Sequence, residues 1–155
     1  MMDRILPNED HEVSKEVEKN FKKSGIKITK GVKVSKIQSM KQNAKVFLEK
    51  KASDEMIKAE KVLLAVGVTG NINNLGLEDL GIETEAGAIK TDNFNRTNIE
   101  NIYAIGDVCG PPWLAHVASA QGHLAAEHSA GLNVNPIDYS NIPGCTYCQP
   151  QVGSL

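Results

Sequence analysis

The chain has 155 residues, a formal net charge of −2 at pH 7, 41% hydrophobic and 23% charged residues. That length suits one ordinary domain with a sizeable core, and the composition is that of a soluble globular protein, not a disordered one. No apolar run approaches the roughly 18 residues a transmembrane helix requires. The opening MMDRILPNEDHE is acidic and lacks the apolar stretch of a signal peptide, so a cytoplasmic location is expected.

The charge is unevenly distributed. Residues 1–61 hold 15 of the 17 Lys and Arg against 10 acids, whereas residues 62–155 hold Lys90 and Arg96 against nine acids. The basic residues stand singly among acids, with only Phe21 and Phe47 as aromatic company. That is the pattern of a solvated face, and no nucleic-acid partner is expected.

In chain order, Asn8 is placed to cap a helix whose first turn holds Glu9, Asp10 and Glu12. Val13, Val17 and Phe21 line one face of it, Lys22 and Lys23 occupy its last turn, and Gly25 ends it. Residues 26–29 read as a short strand, Val32, Val34 and Ile37 as another, and residues 44–48 as a third with clear alternation. Residues 52–55 read as a turn into a further strand at 56–59. Residues 62–66, VLLAV, form a continuous apolar run, as in a strand covered on both faces, and Gly67 stops it.

A looser stretch rich in Asn and Gly follows, with a turn around residues 76–80 and a strand near 88–91. NIYAI at 101–105 repeats the buried-strand pattern and ends in Gly106-Asp107. A helix over about 114–130 sets Leu114, Val117, Ala118, Gln121, Leu124, Ala125 and His128 on one face, and Gly131 closes it. After a linker rich in Pro and Asn, the CTYCQ stretch at 145–149 reads as an opening strand.

The three cysteines, Cys109, Cys145 and Cys148, are too few for a disulfide framework. Cys145-Thr-Tyr-Cys148 has C-x-x-C spacing, but a zinc site needs two more ligands, and His116, His123 and His128 sit on another element. Redox chemistry would want the pair at a helix N-terminus after a strand. The pair is read as two half-buried strand residues, and no metal site is expected.

The element order departs from a complete nucleotide-binding domain, which opens with a strand, a Gly-rich turn and a helix. No two glycines here are separated by a single residue, so G-x-G-x-x-G is absent. The chain begins with a helix and a small meander, and both ends read as cut.

VLLAVGVTGN (62–71) and NIYAIGDVCGPPWLAH (101–116), together with LGLEDLGIE, IKTDNFNRTNIENIYAIGD and IDYSNIPGCTYCQPQVGSL, resemble the pyridine nucleotide-disulfide oxidoreductases. Within that family the dihydrolipoamide dehydrogenase branch is most similar, and the likeness runs from Asp3 onward. The resemblance implies an α/β fold: part of a flavoprotein with two dinucleotide-binding domains and a small antiparallel β-meander. Residues 1–66 would be the C-terminal part of the NAD-binding domain, 67–134 the central segment completing the FAD-binding domain, and 135–155 the start of the dimerisation domain. Within the α/β body, the strands at 62–66 and 101–105 are expected to lie centrally.

The resemblance also implies FAD and NAD as cofactors, homodimerisation in the full-length family, and lipoyl domains of 2-oxo acid dehydrogenase complexes as partners, without membrane association. The family's FAD fingerprint, redox C-x-x-x-x-C, NAD fingerprint and C-terminal His-Glu pair are absent from these residues. No catalytic residue is therefore assigned, and the 155 residues alone are expected to be an inactive fragment.

What remains are binding positions. Asp107, after Gly106, matches the family aspartate that accepts hydrogen bonds from the flavin ribityl chain; a helix cap is the other reading of that carboxylate. Trp113, Leu114, Ala115 and His116 match the family's Met-Leu-Ala-His, whose backbone N–H groups, notably that of Ala115, meet the electron-rich pyrimidine edge of the flavin. Trp113 replaces the usual Met, and His116 reads equally well as a packed first-turn histidine. For NAD, Val34 matches the valine that touches adenine and Gly67 a glycine against the dinucleotide, or else both serve sheet packing and a turn. The family's Gly-Arg-x-Pro-Asn becomes Gly67-Val68-Thr69-Gly70-Asn71 here. Two alternatives stay open: another branch such as mercuric reductase or NADH oxidase, and a free-standing, non-enzymatic binding protein using Cys145 and Cys148 for metal.

Overall fold

A computed structural model describes residues 2–49 and 55–155. The described residues up to Ala65 form one compact unit together with Pro143–Leu155, and Val66–Ile142 form a second.

In the first unit, helix α1 spans His11–Lys23. Its N-cap is Asp10 rather than Asn8, the Asp10 carboxylate accepting the Glu12 N–H at 3.2 Å. Glu12 in the first turn and Lys22 and Lys23 in the last complement the helix dipole. Gly25, at φ +84°, ends the helix in a Schellman turn, with Ile26 N–H donating to Phe21 O and Gly25 N–H to Lys22 O, both at 3.0 Å. Val17 is 1% exposed, and the buried Ser14 hydroxyl donates to Ile5 O. Glu18, also buried, accepts from Lys22 and Lys30, each at 2.7 Å. These hydrogen bonds, Lys22's first, hold its carboxyl below the usual range and offset its loss of water.

Strands β1 (Lys33–Ser39), β2 (Ala44–Glu49) and β3 (Glu55–Ala59) form an antiparallel meander in that order. Ile37, Val46 and Ile57 align across it, as do Val34 and Leu48, so one face is apolar. A register shift between Val34 and Lys36 marks a bulge. Residues 26–29, expected as a strand, join no ladder; their backbone groups find no neighbouring strand among the described residues. Of the turn expected at 52–55, residues 52–54 lie outside the described residues.

A second hairpin pairs β6 (Gly144–Thr146) with β7 (Val152–Ser154), and Ser154 Oγ donates to Glu9 Oε1 at 3.3 Å. Cys145 is exposed on β6, and Cys148 is half-buried in the bend beyond it, its thiol donating to Pro150 O at 3.0 Å. The two are therefore not a pair of half-buried strand residues: the strand ends at Thr146, before the second cysteine.

The second unit builds its core mostly from loops. Leu77, Ile82, Ile89 and Ala104 cluster together, with Ile72, Ile99, Ile102, Val108 and Cys109 packed against them. The expected turn around 76–80 is present, and β4 (Thr84–Glu85) pairs with β5 (Ala88–Ile89) through a two-residue turn, Ala86 and Gly87 both at positive φ. Helix α2 spans Ala115–Ser129, burying Val117, Gln121, Leu124 and Ala125 along the expected face. Gly131 ends it in the same Schellman geometry as α1.

The two runs expected as central buried strands behave otherwise. Residues 62–66 form no strand, and Leu63 and Val66 are 90% and 91% exposed. No segment among the described residues pairs with this backbone or covers its faces, and an apolar run stays buried only when something else buries it. Residues 101–105 are packed but are not a regular strand. Tyr103 makes an isolated antiparallel bridge to Arg96, Ala104 is buried, and Ile105 is 42% exposed.

Candidate functional site

The site grows from the end of the 101–105 run. Ala104 is anchored by its N–H to Asn95 O at 3.0 Å and by its carbonyl, which accepts from Asn95 Nδ2 at 3.3 Å. Gly106, at φ +74°, then reverses the chain into a 3-10 turn, Gly106–Cys109. Gly110, at φ +89°, closes it, donating to Asp107 O at 3.2 Å. Pro111 and Pro112 forbid a helix from continuing, and α2 starts three residues later with extended Leu114 as its N-cap.

Gly106, Asp107, Trp113, Leu114, Ala115 and His116 are thus brought to one turn-and-helix unit. Asp107 is exposed, and neither Ile105, capping the 3-10 turn, nor Leu114, capping α2, uses a side-chain cap. The carboxylate caps no helix and takes no hydrogen bond from the described residues. His116, in the first turn of α2, is solvent-exposed. The Ala115 N–H lies ahead of the first helical hydrogen bond, Ala118 N–H to Leu114 O at 3.0 Å, at the positive end of the helix dipole.

The 67–71 loop meets this turn through Gly70. A Cβ there would stand 3.1 Å from Asp107 O, 3.2 Å from Gly87 O and 3.2 Å from Val108 Cα. Glycine at the position where the family pattern has proline therefore lets three backbone segments close on one another. Beside it, a cleft of about 540 Å³ is lined by Val68, Gly70, Ala88, Cys109 and Trp113 among others. Burial pushes the Cys109 thiol up to about 11, so it is a packed, protonated thiol at neutral pH rather than a nucleophile.

The nucleotide candidates are more open. Gly67 is at φ +136°, with nothing within 4 Å of a Cβ built on it. Val34 is half exposed on β1 beside the bulge, in the other compact unit. Sequence reasoning missed Gln121 and Tyr139 as parts of the site. Gln121 is buried, accepts the Gly106 N–H at 2.7 Å and donates to Tyr139 Oη at 2.8 Å. Its one signal was an amide standing in an apolar helical stripe. No group of His, Cys, Asp and Glu among the described residues could hold a metal ion.

The donor set fits a flavin. A carboxylate that takes no hydrogen bond from the described residues suits a sugar hydroxyl, and a first-turn helix N–H suits an electron-rich ring edge. No helix among the described residues is long and apolar enough to cross a membrane.

Residues 1–122 match the family model of pyridine nucleotide-disulphide oxidoreductases. The chain is 45% identical to a dihydrolipoyl dehydrogenase of Rhizobium etli over 100% of its own length and 33% of that protein. It is 46% identical to that of Mycobacterium leprae (98% and 33%) and 43% to that of Bacillus subtilis (99% and 33%). The crystal structure of LpdA from Mycobacterium tuberculosis superposes with a TM-score of 0.89 at 27% identity, covering 98% of this chain and 33% of that one. The chain therefore spans about a third of the length of the curated relatives it matches, and its α/β fold with a small antiparallel meander is part of that flavoprotein fold. On this match the chain belongs to the pyridine nucleotide-disulphide oxidoreductase family.

Proposed function

We propose that these residues serve a dihydrolipoyl dehydrogenase, in which dihydrolipoyl groups are oxidised and hydride passes to NAD. The observation that carries this reading is the turn from Gly106 into α2, which presents the exposed Asp107 carboxylate, without a hydrogen-bond partner among the described residues, together with a helix N-terminus. When bound, FAD supplies the two-electron relay between a disulfide and NAD. Asp107 accepts hydrogen bonds from the ribityl hydroxyls and fixes the sugar chain. The Ala115 N–H, with the helix dipole behind it, orients the pyrimidine edge, while Trp113, Leu114 and His116 flank it. Gly67 and Val34 are assigned to NAD contacts. The domain assignment is 1–66 to the NAD domain, 67–134 to the FAD domain and 135–155 to the dimerisation domain. The compact units, which divide after Ala65 and after Ile142, support a break near the first of these boundaries. Homodimerisation and lipoyl domains of 2-oxo acid dehydrogenase complexes follow as partners.

The test compares flavin retention. In a polypeptide that also supplies a Gly-rich phosphate-binding half, Asp107→Ala removes a charge-assisted hydrogen bond and costs about 1.5–3 kcal/mol, roughly 10- to 150-fold in flavin affinity. The readout is the flavin-to-protein absorbance ratio after dialysis. Unchanged retention would overturn the role of Asp107. The 155 residues by themselves are expected to purify colourless, without NAD-linked lipoamide activity.

A further inference from the structure

The turn that carries Asp107 is pinned to α2 by a side chain from the middle of that helix. Gln121 is 5% exposed and both ends of its amide are used, Oε1 by Gly106 N–H at 2.7 Å and Nε2 by Tyr139 Oη at 2.8 Å. Small residues flank it and let the turn come close. A Cβ on Gly106 would stand 3.4 Å from Ala118 Cβ, and one on Gly122 3.3 Å from Ile105 Cδ1. The helix that offers Ala115 at its first turn therefore also holds Gly106, and with it Asp107, in register. A buried amide satisfied at both ends has little freedom to reorient, so the backbone it grips has little freedom either.

We propose that Gln121, braced by Tyr139, is a positioning residue for flavin binding: through the Gly106 N–H it sets where the Asp107 carboxylate meets the ligand. This rests on the reading of Asp107 as a flavin contact.

The experiment takes the polypeptide that also supplies the Gly-rich phosphate-binding half, reconstitutes its apo form with FAD and reads affinity by flavin fluorescence, with thermal midpoints alongside. Gln121→Leu is expected to weaken FAD binding roughly tenfold. Gln121→Glu restores it, because a carboxylate accepts from both the Gly106 N–H and the Tyr139 hydroxyl. In an Asp107→Ala background the same Gln121→Leu change is expected to add less than about twofold, since the group it positions is gone. Losses that multiply in the double variant, or wild-type affinity in Gln121→Leu, overturn the positioning role. Should Gln121→Leu not fold, Tyr139→Phe replaces it, with a roughly threefold loss that also vanishes without Asp107. If Asp107→Ala alone leaves affinity unchanged, the flavin reading of Asp107 fails and the positioning role fails with it. A loss in Asp107→Ala without one in Gln121→Leu sinks only the role of Gln121.

Discussion

Residues 62–66 and 101–105 are both short apolar runs that end at a glycine of positive φ, Gly67 and Gly106. They have opposite surroundings. Around 101–105 the chain supplies backbone partners: Thr97 N–H donates to Ile102 O at 2.9 Å and Ala104 N–H to Asn95 O at 3.0 Å. It also supplies apolar neighbours, with Ile102 and Ala104 in the cluster of Leu77, Ile82 and Ile89. Around 62–66 neither is supplied among the described residues, and Leu63, Leu64 and Val66 face solvent. Composition makes a run able to be buried, and nearby polar partners and apolar surface decide whether it is. The run with both is the one that carries the candidate site.

The strongest way to break this contrast is to empty the packed side. Leu77→Ala removes a side chain that is 7% exposed in the cluster to which Ala104 belongs and against which Ile102 packs. Creating a cavity there is expected to cost about 2–5 kcal/mol, read by urea unfolding of the chain. A loss below about 1 kcal/mol would mean that the cluster is loosely packed and that residues 101–105 owe their place to something else.

The same contrast explains what the sequence made legible. The two helices and the meander followed from patterns that local rules decide: 3.6-residue periodicity, β2's alternation, and a glycine after each helix. Asn8 and Asp10 both satisfy the composition rule for an N-cap, and only the backbone turn separates them, Glu9 N–H donating to Leu6 O at 3.1 Å. Residues 62–66 failed for a non-local reason, because a strand is defined by its neighbours. Gln121 shows the opposite case: its place on the helical face was legible, but its grip on Gly106, 15 positions away, was not.

A smaller effect tests the polar support of the packed run. Asp92 organises the turn that pairs with it, Oδ1 accepting from Phe94 N–H at 2.9 Å and Arg96 N–H at 3.0 Å, with Arg96 Nε 3.4 Å from Oδ2. Burial alone would raise this carboxyl. The Arg96 and Phe94 amides and the Arg96 charge outweigh it and hold the group below its ordinary 3.8. A depressed folded value means that the contribution is present above pH 3.8 and is lost as pH falls through the folded value. Asp92→Asn keeps an acceptor oxygen and loses only the charge, and the side chain is 38% exposed. The expected cost is therefore about 0.5 kcal/mol at neutral pH, screened by solvent. Unfolding curves of the two proteins should converge in acid. A gap that persists there would assign the effect to something other than the carboxylate's charge.

The smallest expected effect is on the open side, and it is the sharpest test of the comparison. Leu64 is 67% exposed, so Leu64→Lys removes no packing from the isolated chain, and its unfolding free energy should change by less than about 0.5 kcal/mol. Its association should change more. Leu63, Leu64, Val66 and Val68 are exposed apolar side chains close together in the sequence, and exposed apolar surface drives self-association in water. The unsubstituted chain is therefore expected to show a scattering size that grows with concentration, and Leu64→Lys should reduce that growth. If the lysine instead costs more than about 2 kcal/mol, the run is buried in the chain in solution, because burying an unpaired charge has that consequence and exposing one does not. The two runs would then have the same kind of environment, and the contrast between them would fall.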